Sequence, residues 1–206
     1  MTTGNSFPVR HAITALVIAA AAGRFPAAIA QTESKSKWDL AQLMQDLRQV
    51  KAARGRFVER RYLAILNAPL ESSGTLVYIA PGRLEKHMLL PRQESLTLDG
   101  DTLLIENKET GQRRRVALQE QPVVWAFVES IRSTLAGDLQ TLNRFYEVSL
   151  EGDASRWRLR LKPTEPRMRE VASEIRVSGN GNWVGVIEIL DAGGDRSVMT
   201  ITRDAT

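Results

Sequence analysis

The chain has 206 residues and no cysteine, and its 28 lysines and arginines exceed its 24 acidic residues by four charges. The absence of cysteine excludes a disulfide framework, so burial alone must stabilise the fold. A surplus this small does not support attraction to nucleic acid or to an anionic membrane through bulk charge.

The first 30 residues have the pattern of a secretory signal peptide. Arg10 gives a basic start, an apolar run extends from Ala12 to Gly23, and Ala28-Ile29-Ala30 is a cleavage signature. The run is too short to span a bilayer comfortably. We therefore predict cleavage after Ala30, a periplasmic location, and a single mature domain over residues 31–206 with 26 basic and 24 acidic residues.

The mature chain begins with a helix and continues as strands. Apolar residues recur at helical spacing over residues 38–50, with Ser36 and Asp39 as the expected N-cap pair. Gly55 is expected to end the helical region, because glycine interrupts regular structure. A strand is expected over residues 56–66, with apolar side chains on both of its faces.

Residues 72–105 predict an antiparallel meander of four short strands. The separators at 80–82, 90–92 and 99–101 each contain proline or glycine, which fixes or frees the backbone for a turn. A hairpin turn at 107–111 then leads to one further strand.

The apolar period becomes helical over residues 122–135, with Pro122 in the first turn and Gly137 just past the end. Asp138 is expected to cap a short second helix that runs to Arg144. Strand patterns then resume and continue to the C-terminus over residues 146–150, 156–161, 174–177, 183–190 and 197–203.

These elements amount to about ten antiparallel strands with one N-terminal helix and one helical insertion, a mainly β (α+β) chain. A sheet of that length curls rather than staying flat. The simplest arrangement is a half-open, strongly curved antiparallel β-barrel with its helices packed over the concave face.

Residues with catalytic or metal-binding chemistry are scarce. His87 is the one histidine of the mature chain, so a zinc site would need an unusual ligand set and a catalytic triad would depend on that residue. No nucleophile elbow, phosphate-binding loop, dinucleotide fingerprint or calcium loop occurs. Arg113-Arg114-Arg115 alternates on a strand, which favours a solvated hairpin over a phosphate site. We expect no enzymatic activity, no metal and no cofactor.

Short motifs follow one another through the first strand and the meander: Gly55-x-Phe57, Gly74-x-Leu76, Pro81, Leu84, His87-Met88, Pro91, Glu94-Ser95 and Asp99-Gly100-x-x-Leu103. This series resembles the LolA family of periplasmic carriers of outer-membrane lipoproteins. The resemblance extends over most of residues 38–203. It implies an unclosed β-barrel with a helical lid over a hydrophobic cavity that holds acyl chains by burial.

The resemblance also implies a function. The chain is expected to be a monomeric carrier that takes acylated cargo, either lipoprotein or a lipid such as a glycolipid, from an inner-membrane donor towards an outer-membrane acceptor. No nucleic-acid partner is expected. The residues expected to form the cavity or its lid are Leu47, Phe57, Leu76, Tyr78, Leu84, Lys86, Met88, Trp125 and Phe127.

Two positions depart from the family pattern. The family carrier has an arginine that grips the lid just before the meander proline, and Ala80 occupies that position. Lys86 replaces an aromatic residue on the face expected to line the cavity, where an unpaired charge is costly. Lys86 is therefore either a rim residue paired with a carboxylate or a contact for an anionic head group, which would suit lipid or glycolipid cargo. A C-terminal extension of the family carrier is also expected to be missing.

Two other functions stay open. A sensor of the same fold would bind lipid to regulate envelope-stress signalling and would need a partner protein. A hydrolase would depend on His87, which is expected on a strand between Lys86 and Met88.

Overall fold

The computed structural model describes residues 38–120 and 122–204. The expected signal peptide and Ser36, half of the expected N-cap pair, lie outside the described residues. The helices are α1 (Leu40–Arg48), α2 (Pro122–Ala136), α3 (Leu139–Phe145) and α4 (Pro166–Arg169), with a 3-10 turn at Leu118–Glu120. The strands are β1 (Ala52–Tyr62), β2 (Leu70–Ile79), β3 (Arg83–Leu90), β4 (Glu94–Asp99), β5 (Thr102–Asn107), β6 (Arg113–Ala117), β7 (Tyr146–Asp153), β8 (Arg156–Pro163), β9 (Ala172–Asn180), β10 (Trp183–Asp191) and β11 (Arg196–Arg203).

All eleven strands belong to one antiparallel sheet in the order β6-β5-β4-β3-β2-β1-β11-β10-β9-β8-β7. The N-terminal meander and the C-terminal meander are joined where β1 pairs with β11, for example at Phe57 opposite Ile201. Strands β6 and β7 stand at the two ends of the order, so the curved sheet does not close. The predicted fold class, a half-open antiparallel barrel with helices over it, is confirmed.

The first strand lies four residues earlier than predicted, because Gly55 is inside β1 rather than before it. Its missing side chain is needed there. A Cβ on Gly55 would lie 2.8 Å from the carbonyl oxygen of Thr202 and 3.2 Å from the ring of Trp183. The glycine therefore admits a close neighbour from β10, a long-range contact that the local sequence does not reveal.

The helix ends follow the predicted capping chemistry. The Asp39 side chain accepts a hydrogen bond from the Gln42 amide, and Asp138 accepts one from the Thr141 amide, each over 3.0 Å. These bonds satisfy amides that a helix leaves without partners in its first turn. Gly137 adopts φ 65°, a left-handed conformation that favours glycine, and ends α2.

The helices cover one face of the sheet, which we call the inner face. Their buried side chains pack mainly on the C-terminal strands, in a core that includes Leu43, Leu142, Trp157, Leu159 and Ile175. Among the described residues, strands β1–β6 contribute no member to that core. As a result, part of their inner face is left to border open space. No helix in the described part of the chain is long and apolar enough to cross a membrane.

Candidate functional site

A cavity of about 300 Å³ lies between the inner face of the sheet and helix α2. Side chains alternate along a strand, so every second residue of the meander points towards it. The meander contributes an apolar set from four adjacent strands, namely Leu76 and Tyr78 of β2, Leu84 of β3, Leu96 and Leu98 of β4 and Leu103 of β5. These side chains border the space that the N-terminal meander leaves unfilled.

The opposite wall of the cavity is helical. Helix α2 presents Val128, Ile131 and Leu135, which recur at helical spacing along one face. Leu47 and Val50, at the end of α1 and just after it, complete this wall. The amphipathic pattern that predicted α2 from the sequence is therefore the pattern that closes the cavity.

Five of the nine residues expected in the cavity or lid line the cavity, namely Leu47, Leu76, Tyr78, Leu84 and Lys86. The other four do not.

Phe57 is buried beneath Lys86, and Met88 lies further along β3. Trp125 contacts the ring of Phe145 edge-on, with ring centroids 5.1 Å apart, and Phe127 packs against the helix-covered core. On α2, the cavity is reached from positions 128, 131 and 135 instead.

The C-terminal strands supply cavity residues that were not anticipated from the sequence: Trp183, Val184, Ile187 and Ile189 of β10, and Met199 and Ile201 of β11. The alternation of Ile187 with Ile189 signals an inward face. However, only the pairing of β1 with β11 brings that face beside the meander.

Lys86 is paired with a carboxylate on the inner face. Its Nζ lies 2.5 Å from Oε2 of Glu59 and 4.8 Å from the centroid of the Phe57 ring. The Ser197 hydroxyl donates to Oε1 of the same carboxylate over 2.7 Å. Burial acts to raise the pKa of Glu59, but the hydrogen bond and charge of Lys86, with the Ser197 hydroxyl, outweigh it and lower that pKa. The ion pair is neutral overall, as the first interpretation of Lys86 requires.

Tyr78 brings a buried hydroxyl to the cavity wall. No hydrogen-bond partner for that hydroxyl occurs among the described residues. Burial raises the pKa of the phenol. A buried hydroxyl without a hydrogen-bond partner lowers the free energy of unfolding, so this group destabilises the folded protein at the cavity wall.

Helix α2 is fastened to the meander by Arg132. Its guanidinium donates to the carbonyl oxygen of Gly100 over 3.0 Å and pairs with Glu129 at 2.5 Å. A Cβ on Gly82 would lie 2.4 Å from Arg132 Cδ, so the arginine stem crosses that glycine closely. Arg132 thus joins α2 to the turn before β3 and to the turn after β4. Ala80 has no polar side chain that could hold the helix in this way.

His87 lies on the opposite face of β3 from Lys86, and its Nε2 is 3.0 Å from Oε2 of Glu85. It is not among the cavity residues. No group of three metal-ligating side chains occurs in the described ranges 38–120 and 122–204. The site as described offers an apolar space and hydrogen-bonding groups at its border.

An open antiparallel sheet with helices over its inner face and an apolar cavity beneath them is the LolA-like architecture. Residues 32–206 match the family model described as outer membrane lipoprotein carrier protein LolA-like, and the chain belongs to that family. The family resemblance inferred from the motifs is therefore confirmed.

Solved structures with a similar fold are distant in sequence. A LolA superfamily protein from Nitrosomonas europaea is 11% identical, with a TM-score of 0.40 over 82% of this chain and 95% of that chain. An uncharacterized conserved protein from Thermus thermophilus is 9% identical, with a TM-score of 0.47 over 81% and 88%. A chain of the MucA/MucB complex of Pseudomonas aeruginosa is 14% identical, with a TM-score of 0.44 over 81% of this chain and 58% of that chain. No curated protein matches the chain.

Proposed function

We propose that this protein is an envelope carrier that binds the acyl chains of lipids or lipoproteins and moves them through the periplasm towards the outer membrane. The observation that carries the proposal is the apolar cavity between the meander and α2. Membership of a family described as lipoprotein-carrier-like supports the same function. Transfer would require a donor and an acceptor at the two membranes, and no covalent step.

Burial of hydrocarbon provides the driving force. Each methylene removed from water contributes about 0.8 kcal/mol, so a chain of a dozen carbons gains enough to bind without any polar contact. An apolar cavity of about 150 Å³ accepts one benzene molecule. The cavity here, about 300 Å³, therefore matches roughly twelve carbons in the closed form. Cargo with longer or several acyl chains requires α2 to move outward.

The polar part of the cargo is expected to stay outside this space. The lysine that reaches the cavity is already neutralised by Glu59. An anionic head group at Lys86 would have to displace that carboxylate and leave it half-buried without its cation, which is unfavourable. The proposal therefore assigns recognition to the hydrocarbon and leaves the head group at the border of the cavity.

Two measurements test the proposal. Mass spectrometry of lipid extracted from the purified protein identifies the cargo, and displacement of a fluorescent hydrophobic probe reports occupancy. Ile131→Trp is expected to fill the cavity and weaken probe binding at least tenfold. Ile79→Trp is the matched control, because Ile79 is exposed and does not line the cavity.

Absence of both bound lipid and probe binding in the unsubstituted protein would refute the carrier proposal. So would equal probe binding by the two tryptophan variants. If lipid binding instead releases a membrane-anchored partner protein in a pull-down, the protein acts as a sensor of the same fold rather than as a carrier.

A further inference from the structure

The exposed apolar side chains of this protein are gathered at one end of the sheet. Nine large apolar residues are exposed in the described part of the chain, and seven of them lie at that end. Six belong to two adjacent hairpins and are called the apolar rim here: Tyr62, Ile65, Leu66, Leu70, Leu89 and Leu90. The seventh, Val171, precedes β9 at the same end.

Strand pairing places the two hairpins side by side. Arg61 of β1 pairs with Leu70 of β2, and Ser73 of β2 pairs with Leu90 of β3. The β1–β2 connection and the β3–β4 connection therefore emerge from the same edge of the sheet. The opposite end carries short polar turns such as residues 100–101 and 181–182.

The rim is held in a defined shape that keeps its apolar side chains outward. The Ala64 amide donates to Oδ1 of Asp195 over 2.8 Å, and the Leu66 amide donates to the carbonyl of Leu63 over 2.9 Å. Ile65, at the tip between them, is 89% exposed. Such exposure of several neighbouring large apolar residues on a monomer marks a binding surface.

Charged side chains of both signs lie at the rim. Residues 60–71 and 89–93 hold Arg60, Arg61 and Arg92 and the acidic Glu71, and the carboxylates of Asp195 and Glu109 accept hydrogen bonds from the amides of Ala64 and Gln93. Arg60 is paired with Glu71 at 2.9 Å, whereas Arg61 and Arg92 are in no ion pair within residues 38–120 and 122–204. Two cations without an ion pair among the described residues thus flank the apolar tips.

We propose that the apolar rim docks on the surface of an anionic phospholipid bilayer, with Ile65, Leu66 and Leu90 in the interfacial layer and Arg61 and Arg92 at the head groups. Protruding apolar tips beside cations fit a deformable lipid surface, since such binding grows with buried apolar area and with attraction to anionic lipid. A rigid protein partner would need a groove of matching shape.

The inner face connects the rim to the cavity. Along β2 it runs from Leu70 at the rim to Leu76 and Tyr78 in the cavity, and the Lys86–Glu59 pair stands between the two regions. Docking at the rim would therefore bring the bilayer to one end of the path that an acyl chain must follow. The biological role of this docking rests on the proposed carrier function, whereas binding to vesicles can be measured independently of acyl-chain binding.

Vesicle flotation tests the docking. Protein purified from cells that export it is mixed with phosphatidylcholine vesicles that contain or lack phosphatidylglycerol. The double substitution Ile65→Ser and Leu66→Ser is expected to reduce binding to both kinds of vesicle at least tenfold. The matched control is Ile79→Ser with Val124→Ser, two exposed apolar residues outside the rim, and it should bind like the unsubstituted protein.

Substitution of both Arg61 and Arg92 by glutamine is expected to remove the preference for anionic vesicles, a loss on the order of tenfold. Probe binding in solution should stay unchanged in every rim variant. Full probe binding without vesicle binding would overturn the docking proposal and leave the carrier function standing. A concentration-dependent dimer that the Ile65 and Leu66 substitutions abolish, without vesicle binding, would assign the rim to self-association and also overturn it.

Discussion

The hydroxyl of Tyr78 gives the sharpest energetic prediction. The side chain is 5% exposed, and its hydroxyl has no hydrogen-bond partner among the described residues. A buried unsatisfied group costs about 1–3 kcal/mol. Tyr78→Phe removes that group and keeps the ring. The substitution is therefore expected to increase the free energy of unfolding by about 1–2 kcal/mol, or roughly 2–8 °C in Tm for a domain of this size.

Tyr146→Phe is the matched control. Tyr146 is also buried, but its hydroxyl donates to the carbonyl oxygen of Ala126 over 3.3 Å. Loss of that bond leaves a buried carbonyl with one partner fewer, so the same chemical change should destabilise by about 1 kcal/mol. Burial raises the pKa of this phenol to about 12, and the hydroxyl stays protonated throughout the measurement.

Urea denaturation measures the stability of both variants. A shift of the midpoint at an unchanged m-value reports a change in the free energy of unfolding. The denaturation midpoints of the two variants are expected to shift in opposite directions. A lower midpoint for both variants would mean that the Tyr78 hydroxyl has a hydrogen-bond partner in solution, and would refute its assignment as an unsatisfied group.

Three further predictions concern charged groups. Hydrogen bonds from Arg160 and Arg176 outweigh burial and lower the pKa of Glu174 to about 2. The contribution of Glu174 to folding stability is therefore full above about pH 4.5 and is lost as the pH falls towards 2. Glu174→Gln should remove on the order of 2 kcal/mol of this acid-dependent loss, as measured by denaturation at a series of pH values. Lys86→Met should destabilise by about 1–3 kcal/mol because the half-buried Glu59 loses its charged partner, and adding Glu59→Gln should recover most of this loss. Equal midpoints for single and double variants would contradict the pairing. Arg132→Ala frees α2 from Gly100 and should accelerate release of a bound hydrophobic probe several-fold in stopped-flow experiments, with an unchanged rate arguing against a fastening role.

The sequence alone led to most of the fold. The chain reversals at 80–82 and 99–101 and the helical period over 122–135 depend on residues that are only a few positions apart in the sequence. A local sequence pattern is therefore enough to predict them. The start of β1 differs from the prediction, because the local pattern marks Gly55 as a break whereas its missing side chain admits the ring of Trp183.

The candidate site was only partly accessible from the sequence. Leu76, Tyr78 and Leu84 follow from strand alternation and from the family resemblance, and they line the cavity. Trp125 and Phe127 are predicted to belong to the cavity or its lid, and both lie on α2, the helix over the cavity. Which face of that helix meets the cavity depends on tertiary packing, and these two side chains pack against the core without lining the cavity.

Local chemistry thus determined the antiparallel meander, the amphipathic helices and the apolar character of the inner face, because each is encoded by neighbours in the chain. Tertiary structure alone decided which strands close the cavity and how its charge is neutralised. Glu59 and Lys86 are separated by 27 residues, and Ser197 and Glu59 by 138. Contacts over such distances depend on the register of β1 with β2 and β11, which no local pattern specifies.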